Sequence, residues 1–312
     1  MNNPLLEFAR KPEFSIRLPS GKNRYPSDVV TYTLNGEIEI YPMTPKEELI
    51  LMNPDSLLSG DANIKVIESC APSVKNAGAL YYPDANAILL AIQKATYGDK
   101  LMVTFKCPQC QKMADELGDK EKIDEAIRRN ELKLEYQELE FSIEELLGSM
   151  TFLEEDYVYK TDNGLKIHYH PTLLKNKLEY ELSNFNNKKI IEHYKGYDFK
   201  DFANNMEKRQ VLEQIKSLYL EMNDYGNKII ADCISFIELP DGSYIDDNKM
   251  ILEFIEKSKS PVVVALHQEI LKINDIGIPA YVDYECEYCH YTEKDRLVGY
   301  NQVDFFGISS YF

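Results

Sequence analysis

Four of the six cysteines in this 312-residue chain fall into two pairs, "FKCPQCQK" at 105–112 and "YECEYCHY" at 284–291. Each pair places two thiols three positions apart, with an aromatic residue two positions ahead of the first. A Cys-x-x-Cys turn fed by a strand aims both sulfurs at one point, where backbone N–H groups can donate to the thiolates. Two such turns supply four thiolates, the closed coordination of structural zinc. Cys107, Cys110, Cys286 and Cys289 are therefore the candidate ligands, zinc in a structural role is the expected cofactor, and Cys70 and Cys233 are left as buried thiols. Three other readings stay open. A redox dithiol needs a strand-to-helix setting that depresses one thiol's pKa, and neither pair clearly opens a helix. An iron–sulfur cluster takes four thiolates, but nothing else in the chain points to electron transfer. The last reading is that the two pairs never meet.

The elements that must carry these pairs are legible in outline. "KLMVTFKC" reads as a strand into the first pair and "IPAYVDYEC" as a strand into the second. Ahead of them, "VVTYTL" and "EIEIYP" alternate across Asn35-Gly36, the dipeptide that type I′ hairpins prefer. Thr44, Pro45 and Glu47 form a capping box with proline at the first helical position, so a helix starts there, with Leu49, Ile50 and Met52 as its apolar side. A further helix is expected from Asp84, with Ile88, Leu89, Ile92 and Ala95 on one face and Gly98 as terminator. Charged helical patterns, "DKEKIDEAIRRNELKLEYQELEF" among them, dominate 113–225; Leu212, Ile215, Tyr219 and Met222 form an apolar stripe there. In the last third, one helix from Asp247 carries Met250, Ile251, Phe254 and Ile255 inward. A second after Pro261 carries Val263, Leu266, Ile270 and Ile273, and Gly277 closes it. The tail "RLVGYNQVDFFGISSYF" is apolar enough to be buried.

The fold class expected is α+β: a mixed helical and β-hairpin body, pinned by a zinc-ribbon-like four-cysteine site, with a helical insertion. Residues 1–112 form the N-terminal hairpin and helix part of the pinned body. Residues 113–225 form the charged, mainly helical insertion, and 226–312 the helix pair, second knuckle and aromatic tail.

Catalytic constellations are scarce. His168 and His170 share a strand face and form a weak metal pair, His267 is outside any His-Glu-x-x-His pattern, and His290 adjoins Cys289 as an alternative ligand. There is no phosphate loop, Gly-x-Ser-x-Gly elbow or Gly-x-Gly-x-x-Gly. Fifty-two carboxylates make chance pairings common, so no catalytic residue is assigned and the chain reads as a non-enzyme.

A net charge of −17 repels phosphate backbones and anionic lipid. The short basic patches near Lys195 to Lys200 and in "NNKKII" (186–191) do not reverse that. Direct nucleic-acid binding and membrane insertion are not expected. The N-terminus lacks a basic segment followed by an apolar run, and no apolar stretch approaches a membrane span.

Leu18, Pro19, Ser20 and Gly21, then Tyr25 and Pro26, lead to Pro42, Met43, Thr44, Glu47 and Glu48, to a helix reaching "VIESC", and to a strand with a Cys-x-x-Cys. This succession resembles the baseplate hub and hub-assembly proteins of T-even-type contractile-tailed bacteriophages. The resemblance is fullest over the first 112 residues and looser over the last 90; the charged middle departs from it. It implies a structural or assembly role in a tail baseplate, other phage tail and baseplate proteins as partners, no catalytic residues, and a location in the host cytoplasm during assembly or in the virion's tail baseplate. The alternative is an acidic cytoplasmic zinc-ribbon regulator that binds a nucleic-acid enzyme.

Overall fold

The computed structural model describes residues 10–22, 24–53, 56, 59–153, 157–194, 206–279 and 281–297. Its first layer begins with β1 (Phe14–Ile16) and β2 (Ile38–Ile40), an antiparallel pair in which Phe14 faces Ile40. The Asn35-Gly36 turn forms, but not as a type I′ hairpin. Thr33 and Glu37 close a three-residue loop by Thr33 N–H donating to Glu37 O (2.9 Å), and Gly36 alone adopts positive φ (+78°). That is the geometry of a turn followed by a left-handed glycine. The segment before the turn does not extend the ladder, because β2 takes β1 as its partner and Val30 bridges to Val74 instead.

Helix α1 (Pro45–Leu51) starts on the expected capping box, with Thr44 as N-cap and Glu47 reaching back to it. Its inward side differs from expectation: Leu51 and Glu47 are buried, while Leu49 and Met52 face solvent. Glu47 faces inward because it has a task there. The Ser69 hydroxyl of α2 (Asp61–Cys70) donates to Glu47 Oε1 at 2.6 Å, and Arg10 sits 3.8 Å away. Burial alone would raise this carboxyl's pKa, but the hydrogen bonds from Ser69 and Thr44, with Arg10's charge, hold it down at about 2.

Helix α3 (Tyr82–Tyr97) is the axis of the molecule. Pro83 sits in its first turn and Gly98 stops it at φ +93°. It begins two residues earlier than expected and is covered on nearly all sides: residues 83–93 are buried except Asn86, with Ala85, Ala87, Ile88, Leu89, Leu90, Ala91 and Ile92 at zero exposure. The alanines let neighbouring elements approach closely, so a run that reads as one apolar face becomes a central core helix.

β3 (Lys100–Phe105) then pairs antiparallel with β4 (Gln137–Ser142), Lys100 facing Ser142 and Phe105 facing Gln137. Between them lie α4 (Pro108–Leu117) and α5 (Lys120–Arg128). The helical reading of "NELKLEYQELEF" is corrected here. Asn130, at φ +63°, ends α5 in a Schellman cap: Glu131 N–H donates to Ala126 O and Asn130 N–H to Ile127 O, each at 3.0 Å. The period-2 alternation of Gln137, Leu139 and Phe141 with glutamates then makes a strand.

After the short α6 (Ile143–Gly148), a four-stranded antiparallel sheet runs β5 (Tyr157–Lys160), β6 (Lys166–Tyr169), β7 (Ile234–Glu238), β8 (Tyr244–Ile245). Helices α7 (Leu174–His193) and α8 (Met206–Asp232) are inserted between β6 and β7. α9 (Asn248–Lys257) and α10 (Ser260–Asn274) pack on the sheet through Ile251, Ile255, Leu266, Ile270 and Ile273. Met250, expected inward, is exposed, and Val263 is only partly buried. Gly277 does more than follow the helix. At φ +92° it pairs with Thr151 in both directions, and a methyl group placed on it would lie 3.1 Å from Pro19. β9 (Tyr281–Glu285) and β10 (Thr292–Leu297) form the last antiparallel pair. The tail beyond 297 lies outside the described residues.

The buried side chains form three clusters around α3, around the four-stranded sheet, and around the cysteines. Each draws on more than one of the segments 1–112, 113–225 and 226–312. Among the described residues no helix is long and apolar enough to cross a membrane.

Candidate metal centre

The two cysteine pairs arrive by different local routes. β3 delivers Cys107, which is the N-cap of α4; Pro108 follows at the first helical position and Cys110 lies two residues further inside the helix. The expectation that neither pair opens a helix is thus wrong for the first pair. Proline immediately after a cysteine was the available signal, since it suits the first helical position. The second pair sits on a hairpin turn between β9 and β10. Cys286 N–H donates to Tyr291 O (2.9 Å) and His290 N–H to Cys286 O (3.0 Å), with His290 at φ +55°.

The structure brings all four cysteines together. Cys107 Sγ lies 3.6 Å from Cys289 Sγ, Cys110 Sγ lies 3.7 Å from Cys286 Sγ, and the four sulfurs all fall within 4.8 Å of one another. A zinc–sulfur bond of about 2.3 Å implies a sulfur–sulfur edge of about 3.8 Å in a tetrahedron. A disulfide needs about 2.05 Å. The separations therefore fit a shared metal ion and exclude bonded sulfurs; all six cysteines are free.

The surroundings suit thiolates. Gln137, buried on β4, donates from Nε2 to Cys286 Sγ at 3.4 Å and accepts from the Tyr284 hydroxyl at 3.3 Å on Oε1. Burial pushes the Cys286 thiol up, but N–H groups of Cys289 and Tyr288 with Tyr284 and Gln137 outweigh it and bring the pKa down to about 6. Burial raises the Cys110 thiol, inside the first turn of α4. Ala126, Leu132, Met113, Leu134, Leu139, Tyr288 and Tyr291 close the apolar wall. Tyr284 was visible as the aromatic residue two positions ahead of Cys286, but Gln137 was not legible as a site residue, because nothing local in the sequence says that β4 will pair beside β3 and reach the other knuckle.

The remaining candidates disperse. His290 is 78% exposed and lies 3.8 Å from Glu285. His168 stacks on Phe236 at 4.1 Å, with Nε2 3.7 Å from Glu238. His170 stacks on Tyr81 and its Nδ1 lies 2.8 Å from Pro171 O. His193 lies edge-on to Tyr194, and His267 is exposed on α10. Among the described residues the four cysteines are the one cluster with metal-ligand spacing. Cys70 and Cys233 are buried elsewhere, and burial pushes them to about 11 and about 12.

A second polar centre explains the "LPSG…YP" stretch. Asp84, fully buried in the first turn of α3, accepts from Ser20 N–H at 2.8 Å and from the Tyr25 hydroxyl, while Tyr81 N–H donates to Tyr25 Oη at 2.7 Å. Burial raises its pKa to about 6 despite those hydrogen bonds. The extended start of the chain is thereby locked to the axial helix.

The class defined by this architecture is an α+β protein whose distant knuckles converge on one four-cysteine cluster. The family model described as T4 bacteriophage base plate protein matches residues 11–307. The chain belongs to that family. The curated proteins and the solved structures give no match.

Proposed function

We propose that this chain is a non-enzymatic structural or assembly component of the hub region of a contractile phage tail baseplate, acting through contacts with other tail proteins. Within it, Cys107, Cys110, Cys286 and Cys289 hold one structural zinc. Family membership over nearly the whole chain supports the setting. The observation that supports a structural role for the metal is the cluster itself: four cysteine sulfurs lie within 4.8 Å of one another, and four protein thiolates are enough to fill a tetrahedral zinc shell with no position left for a reacting water. Zinc there supplies binding free energy to folding by tying the end of β3 to the β9–β10 turn. Residues 1–112 and 226–312 supply the two knuckles of the pinned body, and 113–225 adds β4, β5 and β6 to it as well as the inserted helices. A −17 charge supports protein partners over direct nucleic-acid contact.

The test is native mass spectrometry of the protein isolated from its own expressing culture. One zinc per chain together with tail-protein adducts is the expected spectrum. A metal-free species that binds a nucleic-acid enzyme and no tail protein would overturn the reading in favour of the acidic regulator.

A further inference from the structure

A cavity of about 540 Å³ opens between α7, α8 and α10, beside the first residue of α3. Tyr82, Ile229, Val263 and Ile270 line its floor, and Val264 and Leu271 stand on its rim at 51% and 50% exposure. Gly226 lies on the α8 wall, and a methyl group placed there would meet no atom within 4 Å. A glycine inside a helix costs about 1 kcal/mol relative to alanine, and no packing among the described residues requires this one. The wall is left open for something to approach it closely.

We infer that the occupant is the chain's own C-terminal segment, 298–312. The register of the last sheet sets its starting point. Leu297 pairs with Tyr281, and Tyr281 follows Asp275, on the lip of the cavity, by at most about 20 Å of chain. The segment 298–312 can span up to about 50 Å when extended, so the groove lies well within reach. Its composition matches the groove: Val303, Phe305, Phe306, Ile308, Tyr311 and Phe312 are apolar or aromatic, and Asp304 is its one charged side chain in a chain of net charge −17. A nearly neutral aromatic segment seated in the groove would cover Val264 and Leu271, whose exposure is otherwise unfavourable.

The test uses the full chain with a benzophenone side chain at Phe306. Irradiation should give intramolecular cross-links from the tail to 223–230 or 263–275, on a species that stays monomeric in a denaturing gel. Gly226→Leu fills the groove with a better helix former, and V264E/L271E changes two exposed positions. Each should cut cross-link yield by at least about tenfold, whereas Leu34→Glu, at a fully exposed turn residue, should leave it unchanged. Cross-links only to other elements or between copies, or yields that ignore the groove variants, would overturn the assignment.

Discussion

At the scale of single residues, the cysteine site was readable because coordination chemistry specifies residue type and spacing together. Its support was only half readable: Tyr284 stands in the motif itself, whereas Gln137 reaches Cys286 and the Tyr284 hydroxyl only through tertiary pairing. Replacing Cys107 or Cys286 by serine should abolish zinc binding and cost about 4 kcal/mol or more, as metal analysis and urea unfolding would show. Gln137→Ala should keep the zinc but weaken it by roughly 10- to 100-fold in competition with a chelator, since it removes a hydrogen bond to a ligand sulfur. Asp84 makes a pH-dependent prediction of definite sign. Its folded pKa of about 6 lies above its ordinary value of 3.8, so the folded chain holds that proton more tightly. Its stabilising contribution is complete below pH 4 and is lost as pH rises through 6, by about 3 kcal/mol. Glu47 acts in the opposite sense, stabilising above pH 4.5 and losing that contribution towards pH 2. Asp84→Asn should therefore flatten the pH 4 to 7 slope of unfolding free energy relative to the parent chain, a difference that paired denaturant titrations measure.

At the scale of elements, local rules worked where one short-range cause dominates and failed where a neighbour decides. The Thr44 capping box and the Gly98 stop lie within a few residues of the helices they bound. The Asn35-Gly36 turn also formed, yet its flanking strand found β1 as partner because pairing is a tertiary choice. The charged run after Asp119 looked continuous, although Asn130 at the left-handed cap position and the alternation after it were both available signals. Gly277 shows the same limit: the residue is visible in the sequence, while its approach to Pro19 is not. Gly277→Ala combines a left-handed φ with that close approach, and should cost about 1 to 3 kcal/mol in denaturant unfolding without loss of zinc.

At the scale of the whole molecule, two knuckles far apart in the sequence meet at the cysteines, and the described elements before and between them fill three buried clusters. The motif residues that pointed to a phage baseplate protein have physical tasks: Ser20 and Tyr25 bind Asp84, and Thr44 and Glu47 start α1. The central claim is that four sulfurs close around one structural zinc and leave it no chemistry to perform. Zinc-edge X-ray absorption on the purified chain tests it most directly. The account predicts one zinc per chain with four sulfurs at about 2.3 Å; a shell containing oxygen or nitrogen, or a chain that folds fully without zinc, would contradict it.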